Sequence, residues 1–244
     1  MTGPILNQSP VSQPHVLLVD DDLELLELLK DYLEKEDFLV TCVNNGKDGV
    51  DAALSGKHDI VVLDVMMPEL NGIQALGMIR TKSNLPIVML TAKGDDTDRI
   101  MGLELGADDY VPKPCTPREL IARLRAILHR VGLQGAAANQ PSSTQPLTAG
   151  NLSLWPSQRR VDQCDQPLEL TSTEFSLLEV LVRHAGNPVT KNELSMAALD
   201  RPLSPYDRSI DVHISNIRRK LLPLDDGRSM IQTLVRKGYI LIVE

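Results

Sequence analysis

A chain of 244 residues with a formal net charge of −8 and 42% hydrophobic residues is long enough for two ordinary domains and too apolar for disorder. The charge is uneven: 13 basic side chains stand against 21 acidic ones through Arg130, and 12 against 12 beyond it. No apolar run reaches membrane-spanning length, no signal peptide opens the chain, and three scattered cysteines exclude a disulfide framework, so a cytoplasmic protein is expected.

Residues 1–14 carry three prolines among polar residues and read as a flexible tail. From residue 15 to 130, apolar strands alternate with amphipathic helices. Strands are predicted at His15–Val19, Leu39–Val43, Ile60–Leu63, Pro86–Leu90 and Asp109–Val111. Helices are predicted near Leu23–Lys35, Lys47–Leu54, Ile73–Arg80, Thr97–Leu105 and Thr116–Arg130. Five strands alternating with five helices imply a parallel sheet covered on both faces. Residues 131–149 shift to Gly, Ala, Asn, Gln, Ser and Thr and read as a linker. Residues 150–244 form a second domain. It opens with short strands at Leu152–Leu154, Arg159–Asp162 and Leu168–Leu170. A capping box at Thr171 to Glu174 starts a helix, another begins near Lys191, and a third runs from about Arg208 to Leu222. Ile231–Val235 and Tyr239–Val243 close the chain as a β-hairpin.

Chemistry gathers at predicted strand ends, where open parallel sheets place their ligands. Asp20, Asp21 and Asp22 follow the first strand and Asp64 follows the third. Converging carboxylates repel unless a cation intervenes, and oxygen-only donors at an exposed site favour Mg²⁺. Asp64 can then act as a nucleophile toward phosphorus, with the Thr91 hydroxyl and the Lys113 ammonium meeting the phosphoryl oxygens. A phosphatase of the haloacid-dehalogenase type also uses Asp and Mg²⁺. Its nucleophile belongs to an Asp-x-Asp arrangement after the first strand, whereas Asp20-Asp21-Asp22 is contiguous here.

The motifs Val19-Asp20-Asp21-Asp22, Leu63-Asp64-Val65-Met66-Met67-Pro68 with Gly72, Thr91-Ala92, Asp108-Asp109-Tyr110 and Lys113-Pro114 resemble bacterial response-regulator receivers across His15 to Arg130. The resemblance implies a flavodoxin-like (βα)5 receiver domain with Asp64 as phospho-acceptor. Asp21, Asp64 and the Met66 carbonyl would bind Mg²⁺, with Asp20 acting through water. Thr91, with Ala92 beside it, and Tyr110 would form the switch pair, Lys113 would meet the phosphoryl group, and Lys113-Pro114 would be a cis peptide. Cys115 stands where the family usually has Phe.

In the second domain, helical spacing puts Ile210, Ile214, Ile217 and Leu221 on a core face. Arg208, Val212, Ser215 and Arg219 fall opposite, with Asn216 at the flank. Those are base-reading and phosphate-binding types plus one residue able to meet a thymine methyl. Arg208 to Gly238 holds seven basic and three acidic side chains. The stretches Leu170–Phe175, Arg208–Leu221 and Lys237-Gly238-Tyr239 resemble the α+β winged-helix effector domain of the OmpR/PhoB family, and across the whole chain the likeness is to its Cpx-type, envelope-stress branch. The helix would enter the major groove of double-stranded DNA through Arg208, Val212, His213, Ser215, Asn216, Arg218 and Arg219. The hairpin, with Thr233, Arg236, Lys237 and Tyr239, would lie along the minor groove. The wing departs from the family pattern, with Val235 in place of an Arg and Arg236 in place of a Gly.

The same likeness implies phosphorylation by a sensor histidine kinase, a homodimer on phosphorylation, tandem half-sites and RNA polymerase as a further partner. Its intersubunit charge pairs match Arg99 with Glu119, Asp108 with Arg123, and Asp109 with Arg130. The expectation is a transcriptional regulator, not a turnover enzyme.

Overall fold

The computed structural model describes residues 13–92, 96–132 and 145–243. Most of the expected tail and most of the expected linker lie outside these residues. The first domain runs β1 (His15–Val19), α1 (Leu23–Glu34), β2 (Leu39–Val43), α2 (Gly46–Ala53), β3 (Ile60–Asp64), α3 (Gly72–Arg80), β4 (Ile87–Ala92), α4 (Asp96–Glu104), β5 (Asp109–Lys113) and α5 (Pro117–Val131). Its sheet has the order β2-β1-β3-β4-β5, and every pairing is parallel. All five residues of the central β3 are buried, as expected of a strand covered by helices on both faces. Local chemistry fixes the helix starts. Asp22 caps α1 by accepting from the Leu25 amide, and Thr116 caps α5 ahead of Pro117 in the first turn. The winding reverses between β1 and β3, which opens a crevice beyond their carboxyl ends.

The second domain opens with an antiparallel sheet, β6 (Leu147–Ala149), β7 (Leu152–Trp155), β8 (Arg160–Gln163) and β9 (Gln166–Pro167), in that order. Then come α6 (Ser172–Arg183), α7 (Lys191–Leu199), α8 (Ser209–Lys220) and the hairpin β10 (Ile231–Leu234) with β11 (Gly238–Leu241). Strand β6 falls inside the segment read as linker. The strand expected at Leu168–Leu170 sits earlier, at Gln166–Pro167. The reason is a two-residue turn, Cys164-Asp165, with φ of 50° and 61°, which starts pairing at Gln163 with Gln166. Leu168 and Leu170 instead pack half-buried against the domain core.

The two domains pack together. Helix α8 lies on α4, while α6 and α7 lie on α5. Val212 of α8 joins the receiver-side core that holds Leu103 and Met89. No described helix is long and apolar enough to cross a membrane.

Candidate phosphoryl-acceptor and DNA-binding sites

The register pairs Val19 with Leu63, so Asp20 and Asp64 leave the sheet side by side. Asp20, Asp21 and Asp64 each offer a carboxylate oxygen, and these oxygens lie within 4.8 Å of one another. Asp21 is exposed; Asp20 and Asp64 are buried. From the end of β5, the Lys113 ammonium donates to Asp20 Oδ2 and Asp64 Oδ1, each at 2.6 Å. The other Asp64 oxygen accepts the Met66 amide at 3.0 Å, and Asp20 Oδ1 accepts the Asp22 amide at 3.0 Å. Burial pushes the Asp64 carboxyl up, Lys113 opposes this, and Asp20 adds to it. Burial also works against charge on Lys113, but its hydrogen bonds to Asp20 and Asp64 win and hold its pKa up. Three carboxylates with oxygen donors and one open flank suit a hard divalent cation.

Thr91, buried, is the penultimate residue of the neighbouring β4 and pairs in register with Pro112, as the exposed Ala92 does with Lys113. Tyr110 lies buried on β5. Its hydroxyl accepts from Arg99 at 3.2 Å, and the Arg99 guanidinium stands 4.8 Å from the ring centroid. Lys113-Pro114 is a cis peptide. Cys115 is half-buried beside the core under α5, where the expected pattern has an aromatic ring.

Helix α8 presents its core face as expected: Ile210, Ile214 and Ile217 are fully buried. Arg208, Ser215 and Arg219 are exposed, and Arg218 ties the helix to the hairpin through Ile231 O at 2.9 Å and Thr233 Oγ1 at 2.8 Å. Thr233, Arg236 and Lys237 are exposed. Arg236 takes φ 62°, the left-handed backbone for which a Gly is the usual choice.

Four expected DNA contacts are not free in this arrangement. Val212 is 8% exposed because α4 covers it. Asn216 donates to the Leu103 carbonyl of α4 at 2.8 Å. His213 is fully buried, with neither ring nitrogen hydrogen-bonded among the described residues. Tyr239 sits in the core of its own domain, where its hydroxyl donates to Asp211. Arg219, though exposed, reaches the Glu104 carbonyl at 3.3 Å.

The expected dimer residues are also engaged within the chain. Asp108 pairs with Arg80 at 3.2 Å and accepts the Thr173 amide at 3.0 Å. Asp109 pairs with Arg123 at 3.0 Å and Arg201 at 3.2 Å. Arg123 also meets Glu119 at 3.4 Å, and Arg99 meets Asp96 at 3.1 Å. Arg130 has all three guanidinium nitrogens buried without a hydrogen-bond partner among the described residues. Arg80, Thr173 and Arg201 were missed from sequence. Each meets a residue far away in the chain, and no local spacing announces such a contact.

A receiver sheet with an acidic cleft, joined to a winged-helix domain, defines a response regulator of the two-component type. The family description "Response regulator receiver domain" matches residues 16–125, and "Transcriptional regulatory protein, C terminal" matches 165–241. The transcriptional regulatory protein CpxR of Escherichia coli strain K12 is 45% identical over 93% of this chain and 97% of its own length. A CpxR homolog of Haemophilus influenzae is 47% identical over 93% of this chain and 98% of its own. A solved structure of a RitR mutant shares the fold, with a TM-score of 0.71 at 22% identity over 93% of this chain and 98% of that one. The chain belongs to the OmpR/PhoB family of response regulators, in its Cpx-type branch. It is a transcriptional regulator, not a turnover enzyme, with a histidine kinase upstream and DNA as its target.

Proposed function

We propose that Asp64 takes a phosphoryl group from a phosphohistidine of a sensor histidine kinase, and that the modified chain dimerises and binds tandem half-sites on DNA. The observation that carries this is the Lys113 ammonium held by both Asp20 and Asp64 at 2.6 Å. A carboxylate oxygen of Asp64 forms the new bond to phosphorus while the phosphorus–nitrogen bond breaks and imidazole leaves. The product is an acyl phosphate. Lys113 is already in place to exchange a carboxylate partner for a phosphoryl oxygen. Mg²⁺, which Asp21, Asp64 and the Met66 carbonyl would hold, with Asp20 acting through water, would offset the charge of the incoming phosphoryl oxygens. Thr91 would then donate its hydroxyl to the phosphoryl group, and Tyr110 would turn inward.

Dimerisation would use α4, β5 and α5, with Arg99, Asp108, Asp109, Glu119, Arg123 and Arg130 supplying intersubunit charge pairs. Linked effector domains would then gain affinity through effective concentration. Base and phosphate contacts would come from Arg208, Val212, His213, Ser215, Asn216, Arg218 and Arg219, and wing contacts from Thr233, Arg236 and Lys237. RNA polymerase is the further partner, and the cytoplasm is the site of action.

Incubation with acetyl phosphate and Mg²⁺ should add one phosphoryl group, seen by mass spectrometry and released by hydroxylamine as an acyl phosphate is. Asp64→Ala should abolish it. Undiminished labelling of Asp64→Ala would remove the acceptor assignment.

A further inference from the structure

We propose that Asp211 and Tyr239 are positioning residues for DNA recognition, fixing the hairpin to α8 so that helix and wing meet the duplex as one rigid reader. The inference rests on the DNA reading above, in which α8 enters the major groove and the hairpin lies along the minor groove. Asp211 is the one acidic side chain on α8. Phosphates repel a carboxylate, so an acid on a groove-entering helix calls for another role. Its partners supply one. Lys191, at the start of α7, donates to Asp211 Oδ1 at 2.7 Å and to Oδ2 at 2.9 Å, and the Tyr239 hydroxyl of β11 donates to Oδ1. Burial and the Asp211 carboxylate push the Tyr239 phenol up from its ordinary value, so the hydroxyl keeps its proton and stays a donor.

The hairpin is attached to α8 at two points. Arg218 lies about two turns beyond Asp211, which puts both on one face of α8, about 10 Å apart. Asp211 holds β11 through Tyr239. Arg218 holds β10, donating to the Ile231 carbonyl at 2.9 Å and to Thr233 Oγ1 at 2.8 Å. Two anchors on a stiff helix fix the tilt of the hairpin, whereas one would leave a pivot. The Tyr239 ring joins the anchors: Arg218 Cζ stands 5.5 Å and Lys191 Nζ 6.0 Å from its centroid. Backbone supports the same seat. The Val189 amide donates to the Tyr239 carbonyl at 2.8 Å, and the Tyr239 amide to the Val189 carbonyl at 2.9 Å. Gly238 admits that approach, since a Cβ there would stand 2.1 Å from the Val189 carbonyl oxygen. All of these contacts lie within the second domain, so the reader is assembled without help from the receiver.

A merely solvated acid predicts that removing Asp211 relieves repulsion and tightens binding. A positioning role predicts the opposite sign. Asp211→Ala should weaken binding about tenfold, the worth of one hydrogen bond to a charged group. Tyr239→Phe keeps the ring, removes only the hydroxyl and should weaken binding likewise. It keeps the test valid if Asp211→Ala disturbs α8. The probe is a duplex selected from a randomised pool by the full chain treated with acetyl phosphate. Hydroxyl-radical cleavage reads cover of the minor groove, and dimethyl sulfate reads guanine N7 in the major groove. Both variants should lose the minor-groove protection and retain the major-groove protection, a split that general loss of folding cannot give. Binding by Asp211→Ala as tight as wild type, or tighter, overturns the proposal. So does a Tyr239→Phe footprint that keeps its minor-groove protection or loses both together. Failure of the DNA reading shows separately, as a wild-type chain that protects neither groove. Hydrogen exchange without DNA then still decides whether these residues fix the hairpin. Tyr239→Phe should speed exchange of the amides from Ile231 to Leu241 while α6 stays protected, and unchanged hairpin exchange overturns the attachment.

Discussion

At Gly72 the absence of a side chain is a requirement of the acceptor site. A Cβ there would stand 1.9 Å from the Asp64 carbonyl oxygen, which is backbone and cannot move aside cheaply. Gly72→Ala should cost about 3 kcal/mol of stability in urea denaturation, as overpacking at a rigid contact does, and should slow labelling of Asp64. A variant of wild-type stability and labelling would show that the turn has slack. His213 makes a prediction of a different kind. Burial lowers its pKa from the ordinary 6.5, against the raising pull of Glu174, Asp108 and Asp109. The unfolded chain therefore takes up a proton that the folded chain refuses. The stability tied to this group is complete above 6.5 and declines as pH falls below it. Thermal unfolding should show that decline, and His213→Leu should flatten it. Equal pH slopes in both proteins would mean that other groups carry the dependence. His58, also lowered by burial, acts in the same direction and stays present in both.

Helix starts were the most legible elements because their chemistry is local. The Thr171 hydroxyl accepts the Glu174 amide while Glu174 accepts the Thr171 amide, and the same reciprocal pair recurs at Thr190 and Glu193. Thr171→Ala should lower the unfolding free energy by about 1 kcal/mol, measured by denaturant titration. No loss would mean that packing alone holds α6. The receiver strands were equally plain, since each is an apolar run bounded by polar turns. The acidic site was readable because strand ends of one sheet must share an edge. Strand β6 was not, because three residues inside a polar stretch carry too little period to be seen. Nor was the early start of β9, which depends on Cys164 and Asp165 adopting left-handed backbone that neither residue type announces.

The arrangement of the two domains lay beyond sequence reasoning. Val212 on a polar helix face reads as a thymine contact, and only the docked receiver reveals that it can also complete an apolar core. Asp109 and Arg201 are far apart in the chain, so nothing local pairs them. For the phosphorylated chain on duplex DNA, Arg219→Ala should weaken binding and reduce the slope of log affinity against log salt by about one. An unaltered slope would remove Arg219 from the phosphate-contacting set. The burial of Val212 against α4 has a thermal consequence as well. Opening bares apolar surface on both domains, and hydration of such surface raises heat capacity. Below room temperature the apolar part of the closing force fades, so cold should favour the separated form. Calorimetry of wild type and Val212→Thr would read this as a smaller heat-capacity step in the variant.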